Sequence, residues 1–482
     1  MPERTLTQDL AAPDGSATGD LLRRTAELAI GWRSSLPDRR VGAAPDVTPA
    51  SLRQALGGPL PQSGSDAWTV VSDLAQAADP GLVAMASPRY FGFVIGGSVP
   101  AALAADWLTS TWDQNAGGYL VTPSAAIVEE VAGAWLLELL GLPREASVGF
   151  VTGATMASTT CLGAARHAVL RNAGWDVEEE GLQGAPQVRV IVGRDVHLSL
   201  LMALRYLGFG RGRPERVPTD DEGRMDPDAL ATMLEGHAGP LIVCAQAGEV
   251  NTGAFDPLDR VVEVVRRHPG AWIHVDGAFG LWAAASPRLR HLIKGHHGAD
   301  SWATDGHKWL NVPYDSGFAF VRDAAAHRAA MSGSAGYLPP APEATRDPWD
   351  YVPELSRRAR GFATYAAIRE LGASGIAALV ERDHDLARRM AARLANHPGI
   401  EVVNEVVLNQ VLVAFDGDAD LVRDIVARIQ HDGTTWLGAS AFHGRPGIRV
   451  SVSGWTTTEE DIDRSADAIL RCLDEALAAR AG

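Results

Sequence analysis

Two charged residues of this chain occupy positions where a charge calls for a chemical task. Lys308 lies in Ser301-Trp-Ala-Thr-Asp-Gly-His-Lys-Trp-Leu310, beside His307 and directly after a short apolar run that reads as a strand. A strand end is a rigid platform, and a lysine partly removed from water there loses basicity and can form an imine with an aldehyde. In isolation it reads more simply as a lysine whose stem lies along apolar surface with its ammonium in water. Asp276 weakens that simpler reading, because it closes a second apolar run in Trp272-Ile-His-Val-Asp-Gly-Ala-Phe279. A buried carboxylate must be paired or neutralised, and a protonated pyridine nitrogen is a suitable partner. Gly277 and Ala278 would let a flat ring lie against the backbone.

A third segment, Val151-Thr-Gly-Ala-Thr-Met-Ala-Ser158, is a small-residue turn that follows Val148 to Val151 and opens a helix predicted to reach Leu170. The exposed N–H groups and dipole of a helix start suit a phosphate, and Thr155 and Ser158 could add hydroxyls. His197, in Asp195-Val-His-Leu-Ser199, follows the strand pattern Val188 to Val192; it could stack on a ring or simply cap the next helix. No GxGxxG dinucleotide turn and no GxSxG nucleophile elbow occurs.

The elements that must hold these residues alternate. Strands are expected at Leu241 to Ala245, Ile273 to Val275 and Ser301 to Ala303 besides those above, with helices around 197–207, 227–235 and 257–267, the pattern of a mostly parallel sheet between helices. Before them come a polar start to about residue 20, a helix from Leu21 to Trp32 and another from Thr48 to Leu56. Asn115-Ala-Gly-Gly118 reads as a loop ahead of a helix from Thr122-Pro123 to Leu140. Breakers crowd 332–354, as in a lid. Helices at Ser356 to Leu371, Asp420 to Asp432 and Thr456 to Ala479 frame a small α+β part.

With 482 residues the chain exceeds one core, and 46% apolar with 21% charged residues is a globular composition. A net charge of -16 without a Lys/Arg stripe argues against nucleic acid. No run approaches the length of a membrane span and the start lacks a signal-peptide pattern, while Cys161, Cys244 and Cys472 show no metal-ligand spacing; a soluble protein of the cytoplasm is expected.

In this order the segments resemble the group II pyridoxal-phosphate decarboxylases, the family of aromatic amino acid, glutamate and histidine decarboxylases. The resemblance extends over Ser87-Pro-Arg-Tyr-Phe91, Asp106-Trp-Leu-Thr-Ser-Thr111, Pro353-Glu-Leu-Ser-Arg-Arg-Ala-Arg360, Gly447-Ile-Arg-Val-Ser-Val452 and Thr457-Thr-Glu-Glu-Asp-Ile462. It implies an α/β aspartate aminotransferase-like fold with a seven-stranded sheet. The implied division is 1–85, wrapping a partner subunit; 86–360, the large cofactor-binding domain; and 361–482, a small domain. It implies pyridoxal 5'-phosphate, with Lys308 as the Schiff-base lysine, Asp276 on the ring nitrogen, Ala278 under the ring, His197 above it, and Ala154, Thr155 and His307 at the phosphate. It further implies a homodimer with shared sites and decarboxylation of an α-amino acid through an external aldimine and quinonoid.

The chain departs from the family pattern at three places. The family's loop tyrosine acts as the acid; here Tyr337, Trp349 and Tyr351 share the loop, and Tyr351 is the choice. Asn115 to Gly118 has two glycines where the aromatic enzymes carry a bulky apolar wall, which predicts a roomier or more polar pocket. Gly248-Glu-Val-Asn-Thr252 replaces a threonine pair. Other outcomes on the same cofactor are oxidative deamination, C–S or C–C lysis and transamination, and a distant one is a scaffold without cofactor.

Overall fold

The computed structural model describes residues 15–333, 345–415 and 418–481. Helices α1 (Gly15–Ser35), α2 (Pro49–Leu56) and α3 (Ala67–Ala78) come first, then α4 (Pro100–Trp112) and α5 (Pro123–Leu139). Thr48 caps α2 by accepting the Ser51 N–H, and Pro49 stands at its first position, so the Thr-Pro start behaves as its chemistry requires. None of α1, α2 and α3 buries a residue.

The main sheet is built from β1 (Ser147–Val151), β2 (Arg189–Gly193), β3 (Glu215–Val217), β4 (Leu241–Gln246), β5 (Trp272–Asp276), β6 (Ser301–Asp305) and β7 (Gly317–Val321). Between them run α6 (Ala154–Asn172), α7 (Val177–Glu180), α8 (Leu198–Tyr206), α9 (Pro227–Leu234) and α10 (Leu258–Val265), and α11 (Ala324–Met331) follows β7. Spatial order is β1-β7-β6-β5-β4-β2-β3; β7 runs antiparallel to both neighbours and the rest are parallel. Strands β4, β5 and β6 are buried along their whole length, as expected of strands covered on both faces. The expected mostly parallel seven-stranded sheet is present.

Strands β8 (Ile400–Val402), β9 (Gln410–Phe415), β10 (Gly438–Phe442) and β11 (Arg445–Ser451) form a separate antiparallel sheet. It is covered by α12 (Gly361–Leu394), α13 (Ala419–Asp432) and α14 (Glu459–Ala481). The helix expected from Ser356 to Leu371 starts at Gly361 and continues past Gly372, which takes φ 62 and kinks it. Its first half packs Ala367, Ile368, Ile376 and Leu379 into the main core and its second half packs Leu386, Met390 and Leu394 into the small one. Among the described residues no helix is long and apolar enough to cross a membrane.

Candidate active site

Because β1, β2, β4, β5 and β6 all point the same way, their carboxyl ends meet along one edge, where ligands of open α/β sheets bind. Lys308 and His307 follow β6, Asp276 ends β5, His197 follows β2 and α6 starts after β1. Lys308 Nζ lies 2.9 Å from Asp305 Oδ2, and His307 Nε2 lies 3.4 Å from Asp305 Oδ1. His307 Nδ1 accepts the Ser316 N–H at 3.1 Å, which leaves the neutral ring's proton on Nε2. Burial, the largest influence, lowers the His307 pKa and favours that neutral form.

Asp276 is 5% exposed and accepts one hydrogen bond, from the Ala278 N–H at 3.2 Å; among the described residues it has no ion pair. Burial pushes its carboxyl up to about 6, against the pull of the Lys308 cation. A protonated ring nitrogen would supply the missing partner, so this end of the site fits pyridoxal phosphate by the chemistry of its one acceptor. His197 caps α8: Ser199 donates its N–H to Nδ1 at 3.3 Å, and the Ser199 hydroxyl lies 2.7 Å from the same atom. The His197 N–H donates to Gln246 Oε1, which joins it to the end of β4. His197 keeps an exposed edge in the single chain, and the protein around its ring, followed by the Lys308 and Arg449 charges, pushes it down to about 4. A neutral imidazole results, able both to cap the helix and to face an aromatic ring.

Several expectations change in detail. Gly277 lacks a side chain because Leu281 needs the room: a Cβ there would lie 2.7 Å from the Leu281 Cβ. Ser158 is fully buried with its hydroxyl 3.4 Å from His274 Nε2, one turn into α6, and does not reach the helix start. The two glycines of the 115–118 loop do not open a pocket. Trp349 fills the space, with ring atoms 2.5 Å and 2.9 Å from where the Cβ atoms of Gly117 and Gly118 would stand. The loop is held by Arg357, whose Nη1 donates to Ala116 O and whose Nη2 donates to Phe150 O and pairs with Glu129 at 2.7 Å. Gly248 to Thr252 forms a tie between sheets: Glu249 accepts the Asn251 and Thr252 N–H groups, and Asn251 Oδ1 accepts the Ser440 hydroxyl of β10.

Within one chain Tyr351 is not brought to Lys308. It closes a short 3-10 turn, Pro348–Tyr351, along the outer edge of β1, with its carbonyl accepting from His327 and Arg346 stacked 3.8 Å over its ring. His327 in turn bonds Ser147, at the opposite end of β1 from α6. Tyr337 lies outside the described residues. The phenol beside the lysine segment is Tyr314, which is stacked on His307 at 4.1 Å and is 55% exposed.

Sequence reasoning also passed over Asp305, Asn311 and Arg449. Asp305 was visible as an acid three residues before the lysine. Asn311 takes φ 55; its Nδ2 donates to Trp309 O at 2.9 Å and Ser453 O at 3.0 Å, while its Oδ1 accepts the Trp455 N–H. The turn after Lys308 is therefore fastened to the end of β11. The side chain of Arg449, in β11, has no hydrogen bond or ion pair among the described residues. No group of His, Cys, Asp or Glu among the described residues is arranged to hold a metal.

The start of α6 is set by a contact between glycines, since a Cβ on Gly317 would come within 2.5 Å of Gly153 Cα. Gly317→Ala is expected to push the α6 terminus away from β7 and to weaken binding of pyridoxal phosphate by about tenfold or more, with ~1–3 kcal/mol lost in stability from overpacking. Fluorescence titration with the cofactor and a melting curve measure both.

The sequence profile described as the pyridoxal-dependent decarboxylase conserved domain matches residues 49–416. An aromatic-L-amino-acid decarboxylase of Bacillus atrophaeus is 27% identical over 425 residues, 85% of this chain and 86% of that protein. The acidic amino acid decarboxylase GADL1 of Mus musculus is 31% identical over 327 residues, 66% of this chain and 58% of that one. The crystal structure of Oryza sativa TDC with PLP and tryptamine superposes with a TM-score of 0.88 at 23% identity, covering 96% of this chain and 99% of the other. With a profile that spans most of its length, the chain belongs to the pyridoxal-dependent decarboxylase family.

Proposed function

We propose that the chain releases the carboxylate of an α-amino acid as carbon dioxide, using pyridoxal 5'-phosphate held by Lys308, Asp276 and His197. The observation that carries this reading is the buried Asp276 carboxylate, without an ion-pair partner among the described residues and on the same sheet edge as Lys308. When bound, the cofactor supplies an aldehyde for the substrate amine and a cationic ring that accepts the electron pair of the breaking bond. Asp276 would hold the proton on that ring, His197 would cover its face as a neutral imidazole, and Ala278, Ala154, Thr155 and His307 would complete the cradle. Arg449, whose charge acts on His197 and whose side chain has no hydrogen bond or ion pair among the described residues, suits a substrate carboxylate.

For the proton that replaces the carboxylate, single-chain geometry favours Tyr314, and Tyr351 acts only if its segment serves another subunit's site. The test is product analysis with aromatic and acidic amino acids on wild type, Tyr314→Phe and Tyr351→Phe. Amine and carbon dioxide are expected from the wild type, and in one variant loss of proton delivery is expected to raise the share of aldehyde, ammonia and peroxide, with dissolved dioxygen as the oxidant and water supplying the aldehyde oxygen. Pyruvate or a keto acid as main product would replace decarboxylation by lysis or transamination.

The proposal includes a homodimer in the cytoplasm, with 1–85 wrapping the partner, 86–360 forming the large domain and 361–482 the small one. It is supported by α1 to α3, which bury nothing while exposing Leu28, Ile30, Val70 and Leu74, by Trp107 and Trp112 exposed on α4, and by three buried, unpaired cysteines. Sedimentation at micromolar concentration is expected to give twice the mass of one chain; a monomer sinks this part.

A further inference from the structure

Asp305 stands where a phosphate is expected. Its Oδ1 accepts the N–H of Ala154, the first residue of α6, at 2.5 Å, and its Oδ2 is the atom that holds Lys308 Nζ. The side chain is 3% exposed. The chain has thus set an anion of its own on the helix terminus that a dianionic phosphoester would use. The other titratable groups facing Asp305 are His307 after it on the same loop, Asp276 from β5, His197 ahead of α8 and Tyr314 before β7. The part of α6 that touches Asp305 offers a backbone N–H and no charged side chain. Lys308 is the one full cation in this group, and one cation with a helix dipole cannot neutralise a carboxylate and a phosphate dianion together. Two like charges crowded in such a site do not both stay ionised.

We propose that Asp305 is a proton-coupled gate for the cofactor's phosphate. In the cofactor-free chain it caps α6 and ties down Lys308. On loading, it yields the Ala154 N–H, and one proton passes from solvent into the Asp305–phosphate pair. The proposal rests on the pyridoxal phosphate reading above and assigns that site a dependence on pH. If one proton is taken up on binding, affinity falls as pH rises, by up to about tenfold per unit.

The probe is 4'-deoxypyridoxine 5'-phosphate, which carries the ring and phosphate but no aldehyde, so lysine chemistry does not enter. Calorimetric titration of the full chain in buffers of different ionisation enthalpy counts the protons taken up. Wild type is expected to take up about one proton more than Asp305→Asn near pH ~8, where the variant binds about tenfold more tightly, and the gap narrows toward pH ~6. Equal proton counts, or weaker binding by the variant at both values, overturns the gate. Asp305→Ser serves the same comparison if the asparagine variant does not fold. Wild type that binds neither this probe nor pyridoxal phosphate overturns the cofactor reading itself, a result distinct from binding without proton uptake.

Discussion

Lys308→Ala is expected to lower decarboxylation by roughly 10⁴-fold or more, the scale of losing a covalent group that acts as a unit with its neighbours. The visible imine band of the loaded enzyme should vanish with it. The loss is chemical rather than structural, because Lys308 projects from the end of a rigid strand and its side chain makes one ion pair, with Asp305. Removing that cation also relieves the second-largest influence holding His197 down, so its pKa should rise from about 4, a change that NMR titration of the imidazole can follow. Near-normal turnover in the alanine variant would refute the assignment of the lysine.

Asp276→Asn is expected to separate stability from catalysis. In the cofactor-free chain burial pushes this carboxyl up to about 6, so the folded state holds its proton more tightly than the unfolded state does. The group's stabilising contribution is therefore complete below the unfolded value near 4 and is lost as pH rises through about 6. At neutral pH the charged form is a burden that asparagine removes, and the empty variant should be more stable than wild type by about 1–3 kcal/mol. The same change takes the counter-charge from the ring nitrogen and should slow the reaction roughly 10²- to 10³-fold, the cost of losing one preorganised electrostatic partner. Denaturant melts of the cofactor-free proteins and single-turnover rates of the loaded ones test the two halves; a destabilised empty variant would contradict the burial argument.

The main fold and the two charged ends of the site were legible because both are local in sequence. Apolar runs closing on Asp276 and on the lysine segment announce buried strands, and a charge at the end of each asks for a ligand. The role of Asp305 was hidden, although it lies inside the segment read most closely, because it depends on β7 inserting between β1 and β6 and bringing the start of α6 alongside. Spacing along the chain contains no trace of that neighbour. The glycines at 117 and 118 misled for a related reason: a missing side chain reads as space, and the indole that takes it arrives from Trp349, far along the chain. Tyr351 was placed by its loop alone, and the turn that holds it, Pro348–Tyr351, lies along a sheet edge.

The hold of Asn311 on Ser453 and Trp455 has a consequence for the order in which the protein is made. A ribosome that has just completed the lysine segment has produced every side chain of the cofactor cradle, yet not the strand end that fixes the turn behind it. The cradle is thus a contact of high sequence separation, formed late and at an entropic cost that nearby elements cannot offset. A nascent chain arrested before residue 453 should carry a folded main sheet and bind cofactor poorly, so that maturation of the enzyme follows release of its carboxyl-terminal part rather than synthesis of its active residues.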